Sequence, residues 1–201
     1  MQENTQTLPV KLVLASSSPY RKRLLSRLQL AFECRSPNIN EAPITGEEPP
    51  AMAMRLSSAK AKAVSLEGDG DALYIGSDQV AFCSGRLLGK PGSDHKAGEQ
   101  LAFCSGKPVT FITGLAIWRP SKDELRQSAV TTTVTLRPLS ADAIARYIEL
   151  DSPLDCAGSF KWESLGISLF ESLVSEDPTA LEGLPLLRLC QRLRAHGYAL
   201  P

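Results

Sequence analysis

Histidine is scarce in this chain: among 201 residues it occurs only as His95 and His196. His95 sits in Pro91-Gly92-Ser93-Asp94-His95-Lys96, where a helix is expected to begin, and His196 falls in the last turn of an expected C-terminal helix, a place that suits a protonable ring electrostatically. Both read as exposed helix-end residues, so histidine-based acid–base chemistry has no candidate. G-x-S-x-G, H-E-x-x-H and Walker-type patterns are also missing. The five cysteines, Cys34, Cys83, Cys104, Cys156 and Cys190, are odd in number and scattered, with no C-x-x-C pair. That fits reduced thiols better than a disulfide framework or a zinc site. No apolar run approaches the ~20 residues of a membrane span, and the polar stretch Met1 to Pro9 carries no basic-apolar targeting signal. Its composition predicts a disordered tail, residues 1–9, ahead of a single domain, residues 10–201. Net charge is missing too: 22 basic and 22 acidic residues cancel, against a nucleic-acid or membrane-surface binder relying on broad positive potential. The expectation is a cytoplasmic protein without nucleic-acid or membrane partners, in which any anion site is local and chemistry falls to carboxylates, lysines and arginines.

With 43% hydrophobic residues the chain can bury a full core, as one domain or as two small lobes sharing a cleft. The run Lys11-Leu12-Val13-Leu14-Ala15 predicts a strand, Ser16 to Ser18 a tight loop, and Pro19 the first turn of a helix continuing through Leu24, Leu25 and Leu28. Ala31 to Arg35 reads as a short strand and Pro37 to Pro50 as a loop. Ala51 to Leu66 predicts a helix with Met54, Ala61 and Leu66 toward one side. Leu73 to Phe82 is a strand followed by a turn at Ser84-Gly85, and Ser93 to Phe103 a helix with Ser93 as N-cap. Val109 to Trp118 and Ala129 to Leu136 are β-rich, Pro120 to Glu124 connects them, and Ser140 to Leu150 is helical. Pro153 to Gly166 is irregular, Ile167 to Phe170 a short strand, and Leu184 to Ala195 the last helix. Elements of both kinds without strict alternation predict an α/β (α+β) fold built on a mixed sheet.

Several polar positions are conspicuous. Arg21, Lys22 and Arg23 crowd a helix start, where partial positive charge already resides. Either an anion sits among them, with the Ser16, Ser17 and Ser18 hydroxyls completing a phosphate cradle, or the segment is a serine cap with a solvated basic turn. Asp78 interrupts an apolar strand, so its carboxylate needs a partner, a metal or a cleft; a strand-end turn or salt bridge is the structural alternative. Lys60 and Lys62, two apart on a helix, cannot both face one site. Lys90 lies in the stiff turn Gly89-Lys90-Pro91, and Glu41 in a loop where it is either a metal ligand or a plain surface charge.

Taken in order, Ala15-Ser16-Ser17-Ser18-Pro19-Tyr20-Arg21, Asn40-Glu41-Ala42-Pro43, Leu56-Ser57-Ser58-Ala59-Lys60-Ala61, Gly76-Ser77-Asp78-Gln79-Val80, Gly89-Lys90-Pro91 and Cys156-Ala157-Gly158-Ser159-Phe160-Lys161 resemble the Maf family of nucleoside triphosphate pyrophosphatases. The resemblance runs from about Lys11 to about Arg194, nearly the whole chain. It is strongest to the subgroup acting on 7-methyl-GTP, since Tyr20 stands where the dTTP/UTP subgroup has arginine and Cys156 where that subgroup has lysine. The resemblance implies a mixed twisted sheet with flanking helices, two lobes around a nucleotide cleft as in inosine triphosphatase-like proteins, a homodimer, and a divalent metal, Mg²⁺ or Mn²⁺. It implies hydrolysis to a nucleoside monophosphate and pyrophosphate, removing modified nucleotides from the pool. By position, Asp78 is the proton acceptor and, with Glu41, a metal ligand. Ser16, Ser18, Arg21, Lys60 and Lys90 contact phosphate, and Tyr20, Gln79 and Glu163 govern substrate choice. Two departures stand out, Asn40 before the glutamate and Lys107. The competing readings are a dTTP/UTP or other non-standard nucleotide pyrophosphatase and a nucleotide-binding regulator of cell division without turnover; the intact Asp78, Lys60 and Lys90 argue against the latter.

Overall fold

Alternating and β-branched runs fold here as strands wherever a helix can cover one face. The computed structural model describes residues 10–66 and 68–201; the tail expected at residues 1–9 lies outside the described residues. The strands are β1 (Lys11–Ala15), β2 (Glu33–Arg35), β3 (Ala72–Cys83), β4 (Arg86–Leu88), β5 (Pro108–Arg119), β6 (Glu124–Leu136) and β7 (Phe170–Ser175). The helices are α1 (Pro19–Ser26), α2 (Pro49–Ala63), α3 (Asp94–Cys104), α4 (Ala141–Asp151) and α5 (Leu186–Ala195). One seven-stranded sheet runs β2-β1-β3-β5-β6-β7, with β4 added beside β3. The β2-β1-β3 pairs are parallel and the others antiparallel, so the sheet is mixed as expected.

Two separate apolar cores flank the middle of the long strands β3 and β5. One gathers Leu12, Leu14, Leu24, Leu25, Leu73, Ile75, Leu115, Ile117, Leu189 and Leu193 under α1 and α5. The other gathers Ala81, Cys83, Leu101, Phe111, Val134, Ile148 and Phe160 under α3 and α4. Each fully buried Leu or Ile contributes about 1.5–3 kcal/mol. Strand β3 gives Leu73 and Ile75 to the first core and Ala81 and Cys83 to the second, and Ser77, Asp78 and Gln79 lie on it between them.

Helix α2 packs on the sheet at unusually short range. A Cβ at Gly76 would stand 2.0 Å from the Ser57 carbonyl oxygen, and one at Gly114 2.4 Å from the Ala53 carbonyl oxygen. Only glycine at those two strand positions lets the helix backbone approach. The face α2 turns inward is therefore Ala53, Leu56, Ser57, Lys60 and Ala61. Of the expected Met54, Ala61 and Leu66 face only Ala61 holds: small residues are needed against glycine, Met54 is not among the buried positions, and Leu66 lies past the helix, 61% exposed.

Other boundaries shift for local reasons. Helix α2 starts at Pro49 rather than Ala51, because Pro49 and Pro50 suit a first turn whose N–H groups lack partners. Helix α5 starts at Leu186 rather than Leu184: Asp177 Oδ2 accepts hydrogen bonds from the Leu187 and Arg188 amides and Thr179 Oγ1 from Leu186. The strand expected at Ile167 to Phe170 is instead a 3-10 turn, Leu165–Leu169, leading into β7. Gly166 N–H donates to the Lys161 carbonyl there, and Ile167 is 58% exposed, so this apolar run is not a buried strand. Lys107, one of the two departures, donates from Nζ to the Phe103 carbonyl and sits over the Phe103 ring, closing α3 away from the cleft.

Candidate active site

A gap in the sheet makes the site. Strand β1 pairs with β3 only as far as Ala15 opposite Gly76, and β4 only from Leu88 opposite Ala81. Between them, Ser77 to Val80 are paired on the β5 side alone. A cleft of about 570 Å³ occupies this gap, and the segments that leave the two flanking strands, Ser16 to Ser18 after β1 and Gly89-Lys90 after β4, line it. Asp78 and Gln79, Tyr20 and Arg21 from α1, Glu41, Lys60 from α2, and Glu163 line it as well. Every residue singled out for the site is thus brought to one cavity.

Asp78 and Lys60 form its buried centre. Lys60 Nζ donates to Asp78 Oδ1 at 2.6 Å, and the Lys60 and Asp78 side chains are only 7% and 8% exposed. The same Nζ lies 2.8 Å from Glu41 Oε1, whose side chain is 56% exposed. Burial pushes the Asp78 carboxyl above its usual range, with Lys60 and Arg21 pulling it back and Glu41 adding to the rise. Asp78 Oδ2 accepts no hydrogen bond from the described residues, which leaves it for a water or a ligand in the cleft. Lys62 points elsewhere, over the Trp118 ring at 4.9 Å, so the two lysines do diverge. Asn40 Oδ1 accepts the Ala42 amide at 2.9 Å, an Asx turn that fixes the chain around Glu41.

The basic helix start resolves residue by residue. Ser18 caps α1 by accepting the Arg21 amide, and Ser16 Oγ accepts the Ser18 amide at 3.1 Å, so both hydroxyl hydrogens stay available to an anion. Arg21 turns into the cleft, where burial lowers its pKa against the opposing pull of Asp78 and Glu41. Its Nε donates to the Gly183 carbonyl at 2.7 Å. Lys22 is exposed. Lys90 forms no ion pair with the described residues and offers its charge to the cleft.

Around Tyr20 the sign of the charge reverses. Tyr20 Oη donates to Asp155 Oδ2 at 3.2 Å, with Cys156 Sγ 4.0 Å away, and burial raises the Tyr20 pKa and pushes the Cys156 thiol up to about 12. Asp155, Glu163 and Glu182 all line the cleft. Burial raises the Glu163 pKa, helped by Glu182. Trp162 packs against the α3–α4 core and also lines the cleft, its Nε1 buried without a partner among the described residues.

Sequence reasoning missed the segment Ala180 to Gly183. Gln79 Nε2 donates to Thr113 Oγ1 and to the Ala180 and Leu181 carbonyls, Thr113 Oγ1 donates to Ala180, and Ser77 Oγ reaches the Gly183 carbonyl at 2.8 Å. Gln79 therefore holds this segment with its amide nitrogen, and only its amide oxygen is left for recognition. The segment in turn seats Arg21. Gly183 has φ +99°, and a Cβ there would sit 3.2 Å from Arg21 Nε. Gly183→Ala is expected to displace the guanidinium and raise KM for nucleotide about tenfold, with a destabilisation of about 1–3 kcal/mol from the left-handed backbone; steady-state kinetics alongside thermal unfolding check both.

Known proteins match this chain along most of its length. A protein from Aromatoleum aromaticum named 7-methyl-GTP pyrophosphatase is 49% identical over 191 residues, 95% of this chain and 98% of its own. One of the same name from Pseudomonas aeruginosa is 48% identical over 190 residues, 94% of this chain and 98% of its own. The solved structure of the Staphylococcus aureus Ham1 protein superposes with a TM-score of 0.44 at 16% identity, over 78% of this chain and 89% of that one. The family model described as Maf-like protein matches residues 11–196, and with relatives at such identity over nearly full length the chain belongs to the Maf family.

Proposed function

We propose that this protein is a nucleoside triphosphate pyrophosphatase that hydrolyses 7-methyl-GTP to 7-methyl-GMP and pyrophosphate. The observation that carries the reading is the division of one cleft into two neighbourhoods of opposite sign. Lys60 and Arg21 act on Asp78, with Lys90 and the Ser16 to Ser18 loop lining the same cleft, whereas Tyr20 bonds Asp155 and stacks under Arg23, which pairs with Glu163 and Glu182. A triphosphate fits the first set. A 7-methylguanine ring, which carries delocalised positive charge, fits an aromatic face beside carboxylates.

In this reading Asp78 orients a water at its free oxygen and takes its proton as the water attacks the α-phosphorus; the P–O bond to the β-phosphate breaks and pyrophosphate leaves. Its elevated pKa favours proton acceptance. Arg21, Lys90 and Lys60 offset the charge that develops on the leaving group. No cluster of three or more His, Cys, Asp or Glu able to hold a metal unaided occurs among the described residues. Asp78 and Glu41, which meet at Lys60, nonetheless fit the role of one or two carboxylates that share Mg²⁺ or Mn²⁺ with substrate phosphates. Such an ion, when bound, supplies charge neutralisation of the phosphate oxygens. A cytoplasmic location is part of the proposal; no helix among the described residues is long and apolar enough to cross a membrane. A homodimer and the boundaries of the single domain, residues 10–201, complete the proposal; light scattering tests the first and limited proteolysis the second.

The test is pyrophosphate release with Mg²⁺ or Mn²⁺ from 7-methyl-GTP, GTP, UTP, dTTP and ITP in parallel. Selective release from 7-methyl-GTP is expected, with Tyr20→Ala raising KM for that nucleotide about tenfold and for GTP much less, the difference measuring the stacking of a cation on the ring. Preference for UTP or dTTP would keep the chemistry and replace the substrate. No release from any of them would leave a nucleotide-binding regulator.

A further inference from the structure

The cleft-lining carboxylates Glu163 and Glu182 are not free: the protein already supplies them with a cation. Arg23 Nη2 lies 3.2 Å from Glu182 Oε2 and 3.7 Å from Glu163 Oε1, and its guanidinium carbon sits over the Tyr20 ring, 5.4 Å from the centroid. Aromatic ring, acid and acid around one delocalised planar cation is the same set of partners that a 7-methylguanine ring would use. Arg23 is not one of the cleft-lining residues; it reaches Glu163, Glu182 and the Tyr20 ring from beside the cleft. Its side chain is 57% exposed, against 9% for Glu182 and 20% for Glu163. A largely solvated guanidinium gives up such contacts at small cost, because exposed pairs and exposed cation–π contacts are each weak.

We propose that Arg23 is a specificity-determining residue: a tethered cation that neutralises Glu163 and Glu182 and competes with a cationic base for them. The inference rests on the base recognition proposed above and adds a residue to it. While Arg23 stays in place, the acidic neighbourhood of Tyr20 is partly compensated and a neutral purine meets little field. A base with its own positive charge displaces or shares the guanidinium, so net recognition of the methylated ring is the difference between two cations on one set of acids. Helix α1 explains why Arg23 is available for this. α1 already directs Arg21 into the cleft, and Arg23 falls in the last turn of this short helix, where a cation suits the helix dipole and where Glu163 and Glu182 meet it.

The proposal is tested by equilibrium binding of 7-methyl-GMP and GMP, which carry no anhydride to cleave, to the intact protein and two variants, by calorimetry. Arg23→Gln removes the competing charge and is expected to tighten 7-methyl-GMP binding roughly three- to tenfold while changing GMP binding less than about twofold. Arg23→Lys keeps the charge and is expected to stay near the parent selectivity. The same split should appear in KM for the two triphosphates. Binding of 7-methyl-GMP that is unchanged or weaker in Arg23→Gln, or equal shifts for both nucleotides, overturns the role of Arg23. A parent protein that binds 7-methyl-GMP no better than GMP overturns the base reading beneath it, and the two failures are told apart by whether the parent itself discriminates.

Discussion

Replacing Asp78 by Asn is expected to lower pyrophosphate release by about 10²–10⁴-fold with the fold intact. The amide keeps the shape of the carboxylate and still accepts the hydrogen bond from Lys60, whose charge remains paired with Glu41. What it loses is the ability to take a proton from water. Removing Lys60 instead would leave two carboxylates facing each other, one of them buried, and breaking a buried ion pair from one side costs about 3–5 kcal/mol. A loss of activity in a Lys60 variant would therefore mix chemistry with folding. Asp78→Asn separates them: unchanged thermal unfolding and retained nucleotide binding, with turnover near background, is the expected pattern. Turnover close to that of the parent would remove Asp78 from the proton-accepting role.

Gly76→Ala is expected to be among the most destabilising single-methyl additions available. Its Cβ would lie 2.0 Å from the Ser57 carbonyl and 2.7 Å from the Ala61 amide nitrogen, both backbone atoms of α2, so no side chain can swing aside. Overpacking that moves backbone costs about 3 kcal/mol or more, which for a chain of this size lowers Tm by roughly 10 °C. Function should suffer beyond stability, because α2 carries Lys60 to Asp78, and a helix lifted off the sheet takes the ammonium with it. Gly98→Ala provides the contrast. Gly98 lies within α3 and its Cβ would come no closer than 3.8 Å to Ile148 Cδ1, so a neutral to slightly stabilising change is expected from helix propensity. Differential scanning calorimetry of both variants reads the difference directly.

The segments that sequence reading located well are those whose signals are local. Ser93 and Ser140 cap α3 and α4 through their own hydroxyls, which accept the amides three residues on, and β1, the serine loop and α1 follow from one apolar run and one proline. Of the residues that line the cleft, Arg21, Asp78 and Lys90 stand out as polar groups in expensive or stiff places, while Tyr20, Gln79 and Glu163 are singled out by the family resemblance. What was not legible depends on pairing at a distance. β4 is three residues long and exists only because it completes the edge of β3, yet its end at Leu88 defines the gap that opens the cleft. The inner face of α2 was hidden because a serine and a lysine occupy it, their partners being a glycine and an aspartate on another element. Asp155, Glu163 and Glu182 are far apart in the chain and gather around Tyr20 only through the fold. Asp155 and Glu182 are ordinary surface charges by sequence, and Glu163 stands out only through the family resemblance.

The most direct single measurement is hydrolysis of 7-methyl-GTP in ¹⁸O-water with both products weighed by mass spectrometry. Water held at Asp78 and attacking the α-phosphorus must place one ¹⁸O in 7-methyl-GMP and leave pyrophosphate unlabelled. Label in pyrophosphate would put the attack at the β-phosphorus, and labelled orthophosphate with a nucleoside diphosphate would put it at the γ-phosphorus; either contradicts the chemistry proposed for this cleft.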